Sequence, residues 1–261
     1  MNIPKLLSAL LFPPRCPGCG QLLPAVPLLC SGREVPLFCE ECARVFREET
    51  AVACARCTNP VSACICQPKE LAAAGCRGSA KLFYYYPGRR TFCTSRVIFA
   101  QKERMTGRLC RGLAAEAVPL VRQICRQNGL GPGDVYLTYL PRRAASLAKF
   151  GYDQAEMTAR EIARQAAIPF GTLIKRSRHA SQRAQKALSY DERFSHAGTA
   201  FRATGAELPR ETKMILLYDD IITTGAGMTA GTVLLSAQYG LPVFAVSLGV
   251  TYERKKTEIK E

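Results

Sequence analysis

Residues 213–228, KMILLYDDIITTGAGM, restrict the fold of this chain more than any other stretch. Four apolar residues, Met214 to Leu217, lead into two adjacent carboxylates, Asp219 and Asp220. A run of small and hydroxyl residues follows, Thr223, Thr224, Gly225, Ala226 and Gly227, and then a helical pattern from Met228 to Tyr239. The order reads as a buried strand, a turn at its carboxyl end, and a helix whose N-terminus faces that turn. Such a turn offers unpaired backbone N–H groups and hydroxyls to an anion. The neighbouring carboxylates can accept hydrogen bonds from vicinal sugar hydroxyls. A diol beside a phosphate describes a phosphorylated ribose. The plainer alternative is an ordinary strand-to-helix turn in which Asp219 and Asp220 cap the helix or pair with arginine.

The cysteines supply the second constraint. Nine of the 13 lie between Cys16 and Cys66, several paired at zinc-ligand spacing: Cys16 with Cys19, Cys39 with Cys42, Cys54 with Cys57, and Cys64 with Cys66. A C-x2-C pair places two thiolates on one tight turn, and two pairs complete a tetrahedral site. Gly18 and Gly20 allow the first turn to close without a Cβ clash. The first expected site is Cys16, Cys19, Cys39 and Cys42, and the second is Cys54, Cys57, Cys64 and Cys66. Cross-braced pairing remains open, as does substitution of Cys30 into the first set. With every position filled by thiolate, the zinc would be structural, and so short and weakly periodic a region needs metal to fold. Cys76, Cys93, Cys110 and Cys125 are scattered singly and read as small buried hydrophobes.

Lys69 to Ser79, with Gly75 and Gly78, reads as a linker between a module at 1–75 and a domain at 76–261. Lys81 to Tyr86 is an aromatic strand ended by Pro87-Gly88. Thr91 to Lys102 and Gly107 to Arg126 carry helical spacing. Val135 to Leu140 is a buried strand followed by Pro141-Arg142-Arg143, at the end of a strand where open α/β sheets bind ligands. Pro242 to Val250 is a further buried strand. Asp153 caps a helix starting beside it. His179 and His196 lack partners at metal or triad spacing.

The segment at 213–228 resembles the PRPP-binding motif of type I phosphoribosyltransferases, and its wording is closest to the ComF (ComFC-like) family. YLPRRAASLAKFGYDQAEMTAREIA resembles a second stretch of that family over about 25 residues, around Gly151-Tyr152-Asp153-Gln154. A third resemblance runs through Arg176, Gln185, Leu188, Arg193 and Phe201, with His196 in place of the usual Asn. The resemblance implies an α/β fold with a mostly parallel, phosphoribosyltransferase-like sheet behind a small N-terminal cysteine-rich zinc module. It implies that Asp219 and Asp220 hold the ribose 2′- and 3′-hydroxyls, and that Thr223, Thr224, Gly225, Ala226 and Gly227 wrap the 5′-phosphate. Arg142, Arg143 and Lys149 become candidate pyrophosphate ligands, a task suited to the guanidinium fork. Lys102 matches a basic family loop, with Arg104 near it. PRPP would arrive with Mg2+.

Two departures matter. The family usually places Thr where Gly227 stands, so one hydroxyl ligand is lost or displaced while the backbone N–H survives. Purine-salvage members carry an aspartate base where this chain has Thr223, and threonine cannot take a proton from a purine near pH 7. ComF relatives are associated with uptake of single-stranded DNA in natural competence. That association brings DNA and the competence helicase machinery in as expected partners. The net charge of +15 suits phosphate contacts, and Tyr190, Phe194 and Phe201 in the Arg-rich 175–202 stretch offer stacking surfaces. No apolar run approaches the roughly 20 residues that span a bilayer. The N-terminus, MNIPKLLSALLFPPRC, reads as an amphipathic lead-in helix, which places the chain in the cytoplasm.

Overall fold

The computed structural model describes residues 3–177 and 200–252. Its centre is a four-stranded parallel sheet in the order β1-β6-β5-β2. The strands are β1 (Ser79–Tyr85), β2 (Val135–Tyr139), β5 (Met214–Ile222) and β6 (Val243–Thr251). Two short strands, β3 (Ile174–Arg176) and β4 (Phe201–Ala203), form a separate antiparallel pair. All four sheet strands are nearly continuous apolar runs because helices cover both faces of the sheet.

Alternation along β5 shows the two faces. Met214, Leu216 and Tyr218 enter one core with α6 (Gly107–Gln127) and α8 (Gln154–Ala166). Ile215 and Leu217 enter the other, with α9 (Ala226–Tyr239) and the β3–β4 pair. α9 approaches closely because Gly231 carries no side chain. A Cβ there would lie 2.8 Å from Leu217 Cδ2 and 2.9 Å from Leu140 Cδ2.

The remaining helices are α1 (Ile3–Leu11), α2 (Ala25–Cys30), α3 (Glu40–Thr50), α4 (Lys69–Ala73), α5 (Cys93–Glu103) and α7 (Ala144–Phe150). α1 follows the expected lead-in helix, with Ile3, Leu7, Leu10 and Leu11 exposed. No helix among the described residues is long and apolar enough to cross a membrane.

The segment at 69–79 is not a linker. It contains α4, whose Leu71 is fully buried in the α9-side core, and it ends in β1. The N-terminal region is equally continuous with the sheet. Phe38, Cys42 and Phe46 share the larger core with Phe83 and Val97. The Glu49 carboxylate of α3 accepts hydrogen bonds from the N–H groups of Cys93 (2.9 Å) and Thr94 (2.8 Å), so it caps α5 from outside.

Candidate functional site

Strand β5 extends past its apolar run, through Asp219 and Asp220 to Ile222. Ladder pairing fixes what surrounds them. Tyr139 of β2 pairs with Tyr218, and Leu140 N–H then donates to Tyr218 C=O at 2.9 Å. The chain 141–143 therefore leaves the sheet beside Asp219. On the other side, Asp219 pairs with Ser247 of β6.

The two carboxylates have separate surroundings. Asp220 Oδ2 accepts a hydrogen bond from Gln154 Nε2 at the start of α8, and Asp220 Oδ1 accepts from Ile221 N–H (2.9 Å). Asp219 Oδ1 accepts from Asp220 N–H (2.8 Å). Burial pushes the Asp219 carboxyl well above the usual carboxylate range, the Asp220 charge pushes it further, and Lys102 opposes both. Asp219 still keeps part of its surface open. Neither acid caps α9 and neither forms an ion pair among the described residues.

Thr223, Thr224 and Gly225 form the turn, and Ala226 and Gly227 open α9. Gly225 stands at φ +81°, a backbone form that favours glycine. Thr224 Oγ1 lies 3.4 Å from Ala226 N–H, and the first helical bond runs from Thr229 N–H to Gly225 C=O (2.8 Å). The amides of Gly227 and Met228 thus precede the first carbonyl that helix geometry can give them. They present the positive end of α9 beside the acid pair.

Basic side chains come from three other elements. Lys102, in the last turn of α5, lies with its Nζ 5.8 Å from the Tyr85 ring centre and acts electrostatically on Asp219. Arg142 and Arg143 occupy the chain after β2. Arg142 N–H donates to Asp153 Oδ2 (2.7 Å), and Arg142 Nη1 is buried with no partner among the described residues. Arg176, at the end of β3, donates from Nε to Pro141 C=O (3.0 Å) and senses both Arg143 and Asp219. Lys149 differs: it is exposed in α7, 5.1 Å from the Phe150 ring centre, and no contact joins it to the acid pair. Arg104 is also exposed, at the end of α5.

Three residues hold this frame without having been assigned to it. Asp153 Oδ1 caps α8 through Ala155 N–H and Glu156 N–H, while Oδ2 grips the Arg142 backbone. Gln154 ties α8 to Asp220. The Tyr152 hydroxyl bonds the Lys102 carbonyl (3.0 Å) and receives Met105 N–H (3.2 Å), which fixes the end of α5. The signal was the compact run Gly151 to Gln154, a helix stop followed directly by a helix cap. Gln185, Leu188, Tyr190, Arg193, Phe194, His179 and His196 lie outside the described residues. Phe201 is buried in β4 under the Arg176 guanidinium (4.8 Å), so it is core and not a stacking surface.

The cysteines assemble as two sequential tetrads. Cys16, Cys19, Cys39 and Cys42 form one, Cys54, Cys57, Cys64 and Cys66 the other, and within each the ligand atoms lie within 4.8 Å of one another. Cross-bracing does not occur, and Cys30 is exposed outside the first set. Tetrahedral zinc with Zn–S near 2.3 Å needs sulfurs about 3.8 Å apart. The Cys19 and Cys39 Sγ atoms are 3.7 Å apart. Both tetrads begin with the same knuckle: Gly20 N–H bonds Cys16 C=O, and Thr58 N–H bonds Cys54 C=O, each at 2.8 Å. The left-handed position is Gly20 (φ +81°) in one knuckle and Thr58 (φ +62°) in the other. The donor sets fit structural zinc.

No family model matches the chain, and no curated protein is significantly similar to it.

Proposed function

We propose that this chain is a phosphoribosyltransferase-like protein of the ComF type that binds PRPP with Mg2+ at the carboxyl end of β5. One observation carries the reading. Two adjacent carboxylates, in no ion pair among the described residues, stand one turn before open helix amides, with Arg176 and Lys102 acting on Asp219 and with Arg142 and Arg143 on the chain that leaves β2 beside it. A ligand that fits must offer hydroxyls to the acids and phosphates to everything else.

In this reading Asp219 and Asp220 accept the ribose hydroxyls, and the Thr223–Gly227 turn holds the 5′-phosphate through backbone N–H and the Thr224 hydroxyl. Arg142, with its unpartnered Nη1, and Arg143 take the pyrophosphate. Mg2+ would neutralise the phosphates when bound. The protein's own part in group transfer would be positioning and charge stabilisation as pyrophosphate leaves the anomeric carbon. Thr223 offers no base for a purine acceptor.

Calorimetry with PRPP and Mg2+ on zinc-replete protein tests this. Micromolar binding is expected, and it disappears in the Asp219→Asn/Asp220→Asn double variant. Wild-type protein that gives no heat at millimolar PRPP would remove the reading. A second reading, binding of single-stranded nucleic acid, draws on the +15 charge. It requires affinity that falls steeply with salt, and a flat salt response would sink it.

A further inference from the structure

Lys81 is a buried cation with no carboxylate partner. It sits on β1 with 3% of its surface exposed, and among the described residues it forms no salt bridge. Its ammonium instead donates to Cys64 Sγ (3.1 Å), Cys66 C=O (2.6 Å) and Ser79 C=O (3.3 Å). A buried ammonium without a counter-charge is strongly unfavourable. Four thiolates around one divalent ion leave a net negative centre, so a metal in the second tetrad supplies what Lys81 lacks. Outer-shell hydrogen bonds of this kind steady the ligand and tune the metal.

The same tetrad leads to the anion loop. Cys66 is followed by Gln67, whose Nε2 bonds Cys76 C=O (2.8 Å) and whose carbonyl accepts from Arg56. Pro68 comes next and starts α4. A Cβ built on Gly225 would lie 3.6 Å from Pro68 Cγ and 3.9 Å from Pro68 Cβ. The proline ring therefore faces, across a gap of about one methyl, the residue that turns the chain into α9, and α4 packs on α9. Behind it, Leu71 of α4 packs in one core with Ile222 and Met228, which flank the loop. Ser79 N–H bonds Ile65 C=O (3.0 Å), so β1 also holds the ligand loop from below.

We propose that a metal ion in the second tetrad, charge-matched by Lys81, positions the Thr223–Gly227 loop by holding Pro68 and α4 beside Gly225 and under α9. The inference rests on reading that loop as the anion site. Lys81 and Pro68 are positioning residues, neither of them a ligand. Emptying the second tetrad would slacken the loop and weaken anion binding without touching any group that contacts the anion.

The experiment is amide exchange on zinc-replete protein, comparing wild type with Lys81→Met, Pro68→Gly and Cys66→Ser, alongside zinc release to a colorimetric chelator. The reporters are the amides of Thr229 to Thr232, the first bonded turn of α9, against those of Leu235 to Tyr239 as internal control. Lys81→Met should release one zinc equivalent about tenfold faster, the low end of outer-shell effects. Cys66→Ser should hold one zinc equivalent fewer and lose protection at Thr229–Thr232 about tenfold, with the control unchanged. Pro68→Gly should lose the same protection while retaining its zinc; this variant decides the matter if Cys66→Ser does not fold. Unchanged zinc release in Lys81→Met, or unchanged protection at Thr229–Thr232 in Pro68→Gly, would overturn the proposal. Because exchange needs no ligand, failure of PRPP binding in wild type is a separate result that counts against the site reading alone.

Discussion

Folding disfavours the charged form of the Asp219 carboxyl. Its carboxyl is raised well above its ordinary value of 3.8, chiefly by burial and then by Asp220. The folded chain therefore holds a proton there more tightly than the unfolded chain does. Stability from this group is full below the unfolded pKa and is lost as pH rises through the folded one. Asparagine keeps an oxygen for Asp220 N–H and carries no charge. Asp219→Asn is expected to melt a few degrees above wild type at pH 7, with the gain vanishing near pH 4, in thermal scans at both pH values. A variant less stable at pH 7 would show that the charge is compensated. Thr58 presents a second local cost, a β-branched residue in the left-handed region. Thr58→Gly should stabilise by about 1 kcal/mol, or about 2–4 °C for a chain of this size, read from the melting temperature of the zinc-loaded protein. Neither cost was visible beforehand. Burial and backbone angles come from the assembled chain, and the sequence shows neither.

Elements were legible where one periodicity held from end to end. Gly107–Gln127 and Ala226–Tyr239 match the helices read from apolar spacing, and the strand at 135–139 matches an apolar run. The extent of β5 was hidden because Asp219 and Asp220 are poor strand formers; pairing with β2 and β6 carries the strand through them. α4 was hidden because Ala and Gly read equally as linker. Its helical state depends on the pocket that receives Leu71. Packing of α9 also reverses a local rule. Alanine for glycine inside a helix ordinarily stabilises by about 1 kcal/mol. At Gly231 the added methyl meets Leu217 at 2.8 Å and Leu140 at 2.9 Å, both in the sheet-side core. Gly231→Ala is expected to destabilise by about 1–3 kcal/mol in urea titration, and, on the proposed reading of the loop as a PRPP site, to weaken that binding because α9 carries the loop. Stabilisation would mean that α9 sits further from the sheet.

At the scale of the whole molecule, composition and cysteine spacing suggested a module at 1–75 attached to a domain at 76–261. What spacing could not convey is that the boundary runs through shared interior. Phe38 and Phe46 of the cysteine-rich region pack in one core with Phe83, with ring centres of Phe46 and Phe83 5.9 Å apart. Glu49 caps α5 across the boundary, and Lys81 of β1 reaches back to Cys64. Metal binding is folding free energy for such a region, and here the regions fold against each other. A fragment of residues 76–261 would expose the Phe83 face, uncap α5 and strip Lys81 of its Cys64 and Cys66 partners. It is expected to lack a cooperative melting transition. The full chain should show one calorimetric transition that moves to lower temperature, without splitting, when zinc is chelated. Two transitions, or a fragment melting as sharply as the full chain, would show that the zinc region is separable. In that event the coupling between the second tetrad and the Thr223–Gly227 loop would have no structural path.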